Sequence, residues 1–258
     1  MYVCSMSSIA LITGASSGFG RATALLLAEN GYDIIATGRR QERLESLETE
    51  IRSKTAAEVL SLSFDIRDPQ EVTAACQQIS GRWENVDLLV NNAGLAAGLD
   101  HIHEGVAEDW EQMIDTNLKG LLYITREITP GMVARRGGHV VNIGSIAGKE
   151  AYEKGNVYNA TKFAVDGLTQ AMRIDLAEHG IRVTVINPGA AETEFSMVRF
   201  KGDQEKADQV YEGFRPLNAE DVAQAILFVV TRPPHVNIDE MLIMATAQAR
   251  TRKIVKTE

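Results

Sequence analysis

Short apolar runs alternate with amphipathic stretches along this chain. The runs lie at residues 9–13, 33–38, 58–63, 88–91, 139–143, 182–187 and 238–244. Several have apolar residues at consecutive positions, which is typical of parallel strands covered on both faces. Helix-forming stretches lie between them, at residues 21–30, 41–51, 106–126, 158–178 and 219–230. The pattern therefore predicts an α/β protein with a doubly wound, parallel seven-stranded sheet.

The region of residues 190–215 departs from this pattern because it is rich in charge and poor in periodicity. It follows the predicted strand at 182–187, and ligands of such sheets bind at the carboxyl ends of the strands. We therefore expect a substrate lid here, within a single domain of residues 1–258. A length of 258 residues suits one large α/β core.

Composition narrows the classes of partner and compartment. The formal charge of -9 argues against nucleic acid and membrane surfaces as partners, and no apolar run is long enough to span a bilayer. Cys4 and Cys76 lack the spacing of a disulfide framework or a zinc site. Since the N-terminus has no signal-peptide pattern, we expect a cytoplasmic protein. His101 and His103 have no further ligand at metal-binding spacing, so we expect a solvated loop and no metal.

A glycine-rich turn follows the first predicted strand. Its residues are Thr13, Gly14, Ala15, Ser16, Ser17, Gly18, Phe19 and Gly20. Such glycines permit a tight turn and leave room for a pyrophosphate beside the N–H groups that begin the next helix. A strand, turn and helix with three glycines also occurs for structural reasons alone. Nucleotide binding is the interpretation that we favour here.

Tyr158 and Lys162 lie four residues apart in the stretch that predicts a helix over 158–178, and Ser145 precedes Tyr158 by thirteen residues. Residues at this spacing share a helix face, so the ammonium favours the ionised phenol. The usual phenol pKa is about 10, and each unit of depression lowers the cost of the phenolate by about 1.4 kcal/mol. An isolated pair of this kind is more often a core edge with a solvated end. Beside a nucleotide-binding turn, it indicates a redox enzyme.

The glycine turn has the spacing TGxxxGxG, and with YxxxK it resembles the short-chain dehydrogenase/reductase family. The resemblance covers almost the whole chain and implies a Rossmann fold and an oxidoreductase that acts on CH–OH groups. The other positions that match the family's motifs are Asp65, Asn91, Asn92, Ala93, Gly94, Asn117, Ser145, Pro188 and Gly189.

The resemblance implies a role for each catalytic residue. Tyr158 would transfer the proton, while Lys162 would lower the tyrosine pKa and bind the cofactor ribose. Ser145 would hold the substrate oxygen, and Asn117 would support a proton relay. From the sequence alone, Asn117 is equally a polar residue at a helix bend, and Ser145 a cap of the next turn. The implied cofactor contacts are Gly14, Ser16, Ser17, Gly18, Phe19, Gly20, Asp65, Ile66, Asn92, Ala93, Gly94, Tyr158, Lys162, Pro188, Gly189 and Thr193.

Arg39 and Arg40 follow the second predicted strand, about 20 residues after the glycine turn. An NAD enzyme would place an acidic residue there for the ribose 2′-hydroxyl, whereas a guanidinium fork binds a 2′-phosphate. The alternative is two solvated arginines at the start of a helix. Because the acid is missing, NADP is the predicted cofactor.

Finer stretches around Arg39, Tyr158 and Phe195 look like those of the NADP-dependent 3-hydroxy acid dehydrogenases, which act on serine, allo-threonine and related acids. This similarity implies a small-molecule substrate with a carboxylate, such as serine or 3-hydroxypropionate. Arg199 in the lid is its predicted partner, with Lys201, Lys154 and Arg215 as alternatives. A 3-oxoacyl-carrier-protein or broad carbonyl reductase remains open, as does a non-catalytic NADP-binding sensor or scaffold.

Two predictions concern surfaces. The helix at 158–178 carries Phe163, Ala164, Gly167 and Ala171 away from the Tyr158 face. A helix that is apolar on more than one face needs a second partner, so we expect a homo-oligomer, specifically a tetramer. The basic segment at 250–253 is either a frayed end or a segment that crosses a subunit boundary near an active site.

Overall fold

A seven-stranded parallel sheet forms the centre of the molecule in a computed structural model that describes residues 7–256. The strands are β1 (Ser8–Ile12), β2 (Tyr32–Gly38), β3 (Val59–Ser63), β4 (Val86–Asn91), β5 (Gly138–Ile143), β6 (Ile181–Pro188) and β7 (Glu240–Ile243). Their order is β3-β2-β1-β4-β5-β6-β7, and every neighbouring pair is parallel. The predicted α/β Rossmann sheet is confirmed, and each predicted strand is present with its ends shifted by at most a few residues.

Nine helices are present in the described part of the chain. They are α1 (Gly18–Glu29), α2 (Gln41–Lys54), α3 (Pro69–Cys76), α4 (Ala107–Ile114), α5 (Leu121–Arg135), α6 (Asn156–Ala177), α7 (Phe195–Arg199), α8 (Gln204–Gln209) and α9 (Ala219–Val230). A π-helical turn, Asp115–Gly120, joins α4 to α5. The predicted helix over 106–126 is therefore two helices, with the wider turn between them.

Both faces of the sheet are covered, as the consecutive apolar residues predict. In β1, Ala10 and Ile12 face a core formed with α1, α2 and α9, while Ile9 and Leu11 face a second core formed with α3, α5 and α6. These four side chains are at most 4% exposed. Burial on both faces favours this doubly wound arrangement and leaves the strand ends as the place for a site.

The predicted lid over 190–215 contains the two short helices α7 and α8. Gly98 N–H donates to the carbonyl of Arg199 (3.0 Å), and Lys201 pairs with Asp109 of α4 (2.9 Å). The middle of this segment is thus held to the loop after β4 and to α4. In addition, Ala190 N–H donates to the Gln248 side chain (2.8 Å), which ties the start of the lid to the C-terminal segment.

The basic segment at 250–253 packs on its own chain, so the prediction of a frayed end is wrong. Arg250 pairs with Glu150 (2.8 Å), and Thr251 Oγ1 donates to the same carboxylate (3.1 Å). Arg252 stacks on Tyr152, with its guanidinium carbon 4.7 Å from the ring centre. Residues 1–6, which include Cys4, and residues 257–258 lie outside the described part. Between residues 7 and 256, none of the helices combines the length and apolar character that crossing a bilayer requires.

Candidate active site

A cleft of about 670 Å³ opens at the carboxyl ends of the strands. Most of the predicted site residues line it. They are Gly14, Ser16, Ser17, Gly18, Phe19, Arg39, Arg40, Asp65, Ile66, Asn92, Ala93, Gly94, Ser145, Tyr158, Lys162, Pro188, Gly189, Thr193 and Arg199. Gly20 and Asn117 lie behind the wall. The cleft is large enough for a dinucleotide together with a small substrate.

The glycine turn is built around backbone conformations that favour glycine. Gly14 has φ +67° and Gly18 has φ +52°. A Cβ at Gly20 would overlap the carbonyl of Gly14, so α1 packs against the turn without a side chain. Thr13 Oγ1 accepts from the backbone N–H groups of Asn92 (3.0 Å) and Ala93 (2.9 Å). The turn after β1 and the Asn-Asn-Ala-Gly loop after β4 therefore form one rigid wall of the cleft.

Helix α6 brings Tyr158 and Lys162 into the cleft one turn apart. Lys162 Nζ donates to the carbonyl of Ile143 at the end of β5 (2.8 Å). Ser145 follows that strand end, where its N–H donates to Asn187 Oδ1 (3.0 Å) and its hydroxyl accepts from Ala147 N–H (3.1 Å). All three predicted side chains are buried. Helix α6 thus positions Tyr158 and Lys162, and the end of β5 positions Ser145 and also binds Lys162.

Burial dominates the titration of this pair. It raises the pKa of Tyr158; the charge of Tyr152 adds to the increase, and a side-chain hydrogen bond with Ser145 and the charge of Arg199 oppose it. Burial also lowers the pKa of Lys162 to about 8. The predicted depression of the tyrosine pKa by Lys162 is therefore not found. The physical reason is that desolvation penalises the phenolate and the ammonium alike.

Asn117 lies in the π-helical turn and is 2% exposed. Its Oδ1 accepts from Leu95 N–H (2.8 Å), and its Nδ2 donates to Leu95 O (2.8 Å) and to Thr161 Oγ1 (3.1 Å). The amide is thus occupied in binding the loop after β4 to α6. Its side chain has the structural role that the sequence left open.

Arg40 crosses from the start of α2 to the glycine turn. Its Nη2 donates to Ser16 Oγ (3.1 Å) and Ser17 Oγ (2.9 Å), and its Nη1 donates to Glu194 at the start of the lid (3.1 Å). Arg43, one turn along α2, donates to the other oxygen of Glu194 (2.5 Å). Neither Arg43 nor Glu194 was predicted as a site residue. Arg43 follows Arg40 by three residues, and this helical spacing indicates that the two side chains are neighbours. Arg40 thus contacts both the glycine turn and Glu194, while Arg43 contacts Glu194.

Asp65 and Thr193 also line the cleft. The Asp65 carboxylate accepts from Arg67 Nε (3.0 Å), and this contact lowers its pKa against the opposing effect of burial. Thr193 Oγ1 accepts from Phe195 N–H (3.2 Å), and its Cβ is 3.6 Å from the position that a Cβ on Gly18 would take. The first residues of the lid consequently pack against the glycine turn.

Arg199 projects from α7 into the substrate end of the cleft. Its Nη2 donates to Tyr152 OH (2.7 Å) and its Nε to Gly98 O (3.3 Å). Its guanidinium carbon lies 5.6 Å from the centre of the Tyr158 ring. Arg252 also stacks on the Tyr152 ring. Neither Arg252 nor Tyr152 was predicted as part of the site. The folding of the C-terminal segment onto the mouth is what brings Arg252 there.

The three cations that were predicted as alternatives to Arg199 differ in their positions. Lys201 is committed to Asp109, and Arg215 is exposed. Lys154, with φ +65°, lines a small pocket beside Arg199. His101 and His103 stack with ring centres 5.7 Å apart. Among residues 7–256, no three His, Cys, Asp or Glu side chains come together as they would around a metal ion.

The family model for the short chain dehydrogenases matches residues 8–204. The chain is a short-chain dehydrogenase. The NADP-dependent 3-hydroxy acid dehydrogenase YdfG of Salmonella typhi is 47% identical over 242 residues, which cover 93% of this chain and 96% of the relative. Sulfoacetaldehyde reductase 2 of Chromohalobacter salexigens is 43% identical over 245 residues, with 95% and 96% covered.

Solved structures agree with this family. The closed form of a serine dehydrogenase complexed with NADP⁺ superposes with a TM-score of 0.91 at 44% identity and covers 97% of this short-chain dehydrogenase and 100% of that chain. Serine dehydrogenase from Escherichia coli gives 0.80 at 40% identity, with 93% and 99% covered. The predicted resemblance to the family, and to its 3-hydroxy acid dehydrogenases in particular, is confirmed. The individual site residues stay predictions.

Proposed function

We propose that this short-chain dehydrogenase transfers hydride between NADP and a small 3-hydroxy acid of the serine, allo-threonine or 3-hydroxypropionate class. The observation that carries the proposal is the Arg199 guanidinium beside Tyr158 in the wall of the cleft. In a 3-hydroxy acid, one carbon atom separates the carboxylate from the reacting carbon. Arg199 can therefore bind the carboxylate while Tyr158 contacts the hydroxyl.

The chain's own residues then handle the proton and the oxygen. In the oxidation direction, Tyr158 accepts the hydroxyl proton, and Ser145 donates a hydrogen bond to the oxygen as it becomes a carbonyl. The bound nicotinamide supplies the chemistry of accepting the hydride from the same carbon. Lys162 is positioned beside Tyr158 to contact the cofactor ribose and to carry the proton onward. Reduction is the reverse of these steps.

The proposed cofactor is NADP because the groups around the 2′ position are cationic. Arg40 already bridges Ser16 and Ser17, whose hydroxyls are further donors for a phosphate. Glycine at positions 14 and 18 leaves the pyrophosphate path open at the start of α1. These residues fit a dinucleotide with a 2′-phosphate better than one without it.

A substrate panel tests the proposed function. With NADP⁺, kcat/KM for serine, both threonine diastereomers and 3-hydroxyisobutyrate should exceed that for matched uncharged alcohols by about 10-fold or more, as one charge-assisted contact provides. 2-Hydroxyethanesulfonate belongs in the panel because a guanidinium also binds sulfonates and one relative is a sulfoacetaldehyde reductase. Acetoacetyl thioesters test the reverse reaction of the carrier-protein reductase alternative. Activity confined to uncharged alcohols or thioesters would contradict the hydroxy-acid proposal.

We propose that the enzyme is a homotetramer. On α6, Ile174 is 78% exposed and Phe163 is 46% exposed, and a Cβ at Gly167 would meet no atom within 4 Å. On two other elements, Phe228 of α9 is 48% exposed and Leu242 of β7 is 46% exposed. Two separate apolar faces fit two kinds of contact between copies. A sedimentation experiment that finds only monomer at micromolar concentration would contradict this.

We propose a cytoplasmic location on the basis of cysteine chemistry. Cys76 is a free thiol, and burial, with the charge of Glu127, raises its pKa to about 12. A thiol of this kind has no disulfide role and suits a reducing compartment. Cell fractionation that places the protein in an oxidising compartment would overturn the proposal.

A further inference from the structure

Glu194 is the unexpected member of the cluster that faces the adenosine end of the cleft. Its two oxygens accept from two different arginines, Arg40 (3.1 Å) and Arg43 (2.5 Å). Burial works to raise the pKa of Glu194, but the hydrogen bonds and charges of the two arginines outweigh it and lower the pKa. The carboxylate is therefore ionised at neutral pH. An acidic side chain thus lies on the cations that would recognise a 2′-phosphate.

The donors of Arg40 show why the two anions compete. Its Nη2 is committed to Ser16 and Ser17, and its Nη1 to Glu194. Bidentate binding of a phosphate needs two donors that point the same way. Arg40 and Arg43 converge on the Glu194 carboxylate, so a phosphate that engaged both would compete with it for their donors. If both anions remained there, their like charges would repel each other at close range.

The position of Glu194 in the chain connects this cluster to the substrate. It is the N-cap residue of α7, the lid helix that ends at Arg199. Thr193, just before it, packs at Gly18. Loss of the contacts of Glu194 with the arginines would therefore remove one of the restraints at the beginning of the helix that carries the proposed carboxylate ligand.

We propose that Glu194 is a specificity-determining residue that competes with the 2′-phosphate for Arg40 and Arg43 and so links occupancy of the phosphate site to the start of the lid. This inference rests on the proposed NADP dependence. It goes beyond that dependence because it assigns an acidic lid residue an unfavourable effect on NADP affinity. The competition weakens binding only of ligands that carry the phosphate.

The test uses Glu194→Gln, which keeps the size of the side chain and removes its charge. Glu192→Gln is the matched control, since Glu192 is exposed two residues earlier and its loss changes the net charge equally. Calorimetry measures the Kd of 2′,5′-ADP, 5′-ADP, NADPH and NADH. Glu194→Gln should tighten 2′,5′-ADP and NADPH by about three- to tenfold, as expected for one partly exposed charge, and leave 5′-ADP and NADH unchanged. Glu192→Gln should change none of them.

Two outcomes are distinguishable. If the unaltered enzyme binds 2′,5′-ADP no better than 5′-ADP, the proposed NADP dependence fails. If it prefers 2′,5′-ADP but Glu194→Gln leaves that affinity unchanged or weakens it, the inference about Glu194 fails alone. A weaker affinity would mean that the residue orients the arginines instead.

Amide exchange tests the link to the lid, because 2′,5′-ADP should accelerate exchange over residues 195–199 in the unaltered enzyme and not in Glu194→Gln. Equal exchange with and without ligand in the unaltered enzyme would overturn the link.

Discussion

Lys162 Nζ lies 5.9 Å from the centre of the Tyr158 ring, one turn further along α6. Burial raises the pKa of the phenol and lowers that of the ammonium to about 8, so both groups are shifted toward their neutral forms, although Lys162 is still mostly protonated at pH 7. A protonated phenol is ready to donate in the reduction direction. For oxidation, the phenolate has to be stabilised locally, and Ser145 and Arg199 both act in that direction.

Tyr158→Phe should abolish turnover in both directions and leave NADPH binding within about twofold. The variant lacks the hydroxyl that transfers the proton, and a general acid–base group contributes about 10² to 10⁴ in rate. Tyr123→Phe is the control, since Tyr123 packs against the core and does not line the cleft. Steady-state rates and NADPH fluorescence provide the measurements. A near-native rate for Tyr158→Phe would refute the assigned mechanism.

Much of this arrangement was predictable from sequence. Consecutive apolar residues located the seven strands, and four-residue spacing placed Tyr158 and Lys162 on one face of α6. Pairing of Arg43 with Glu194 was not predictable, because 151 positions separate the two residues. A helix bend at Asn117 was one of the two interpretations open from the sequence, but the bonds of its side chain with Leu95, 22 positions away, were not predictable from local propensity.

The pKa pattern of the site required three-dimensional information for a different reason. Sequence spacing shows that an ammonium and a phenol are neighbours, but it does not show how much water surrounds them. Desolvation raises the pKa of Tyr158, while the bond with Ser145 and the charge of Arg199 lower it, and only the packing determines which effect is larger.

Arg199→Met should raise KM for a 3-hydroxy acid by about 10- to 100-fold and leave KM for an uncharged alcohol nearly unchanged. The variant keeps an apolar stem of similar length and removes the partner of the carboxylate. Arg215→Met is the matched control because Arg215 is an exposed cation of the same lid region. Equal effects of Arg199→Met on charged and uncharged substrates would show that the residue shapes the lid rather than binds the carboxylate.

His139 should make the enzyme sensitive to acid. Its side chain is 2% exposed, and burial, followed by the charge of Arg182, lowers its pKa to about 3 from 6.5. The unfolded chain thus binds one more proton than the folded chain between these values. The neutral His139 side chain therefore contributes its full stabilisation of the fold above pH 6.5. Below this pH, the contribution to the free energy of unfolding falls by about 1.4 kcal/mol per pH unit until the pH reaches the folded-state pKa.

Denaturant titrations between pH 4 and pH 7 measure this effect. His139→Leu should show a shallower loss of the free energy of unfolding with falling pH, even if its stability at pH 7 is reduced. Thr184 Oγ1 keeps a partner in that variant, since it also donates to Ile238 O (2.7 Å). His103→Asn is the control because its side chain is 74% exposed. Identical pH slopes for His139→Leu and the unaltered enzyme would assign acid sensitivity to other groups.

Asp109→Asn should loosen the lid. Lys201 Nζ lies 2.9 Å from Asp109 Oδ2, and this pair joins the lid to α4 two residues after the proposed substrate ligand Arg199. Lys201 is largely exposed, so the ion pair contributes about 1 kcal/mol or less, and KM should rise by about two- to fivefold with kcat little changed. Amide exchange over residues 195–201 should accelerate in parallel.

Glu205→Gln is the control for Asp109→Asn, because it removes one negative charge from α8 without touching Lys201. The variant Lys201→Gln should have the same effect as Asp109→Asn, and the double variant should be no worse than either single one, since both remove a single interaction. Additive increases in KM would mean that the two residues act separately.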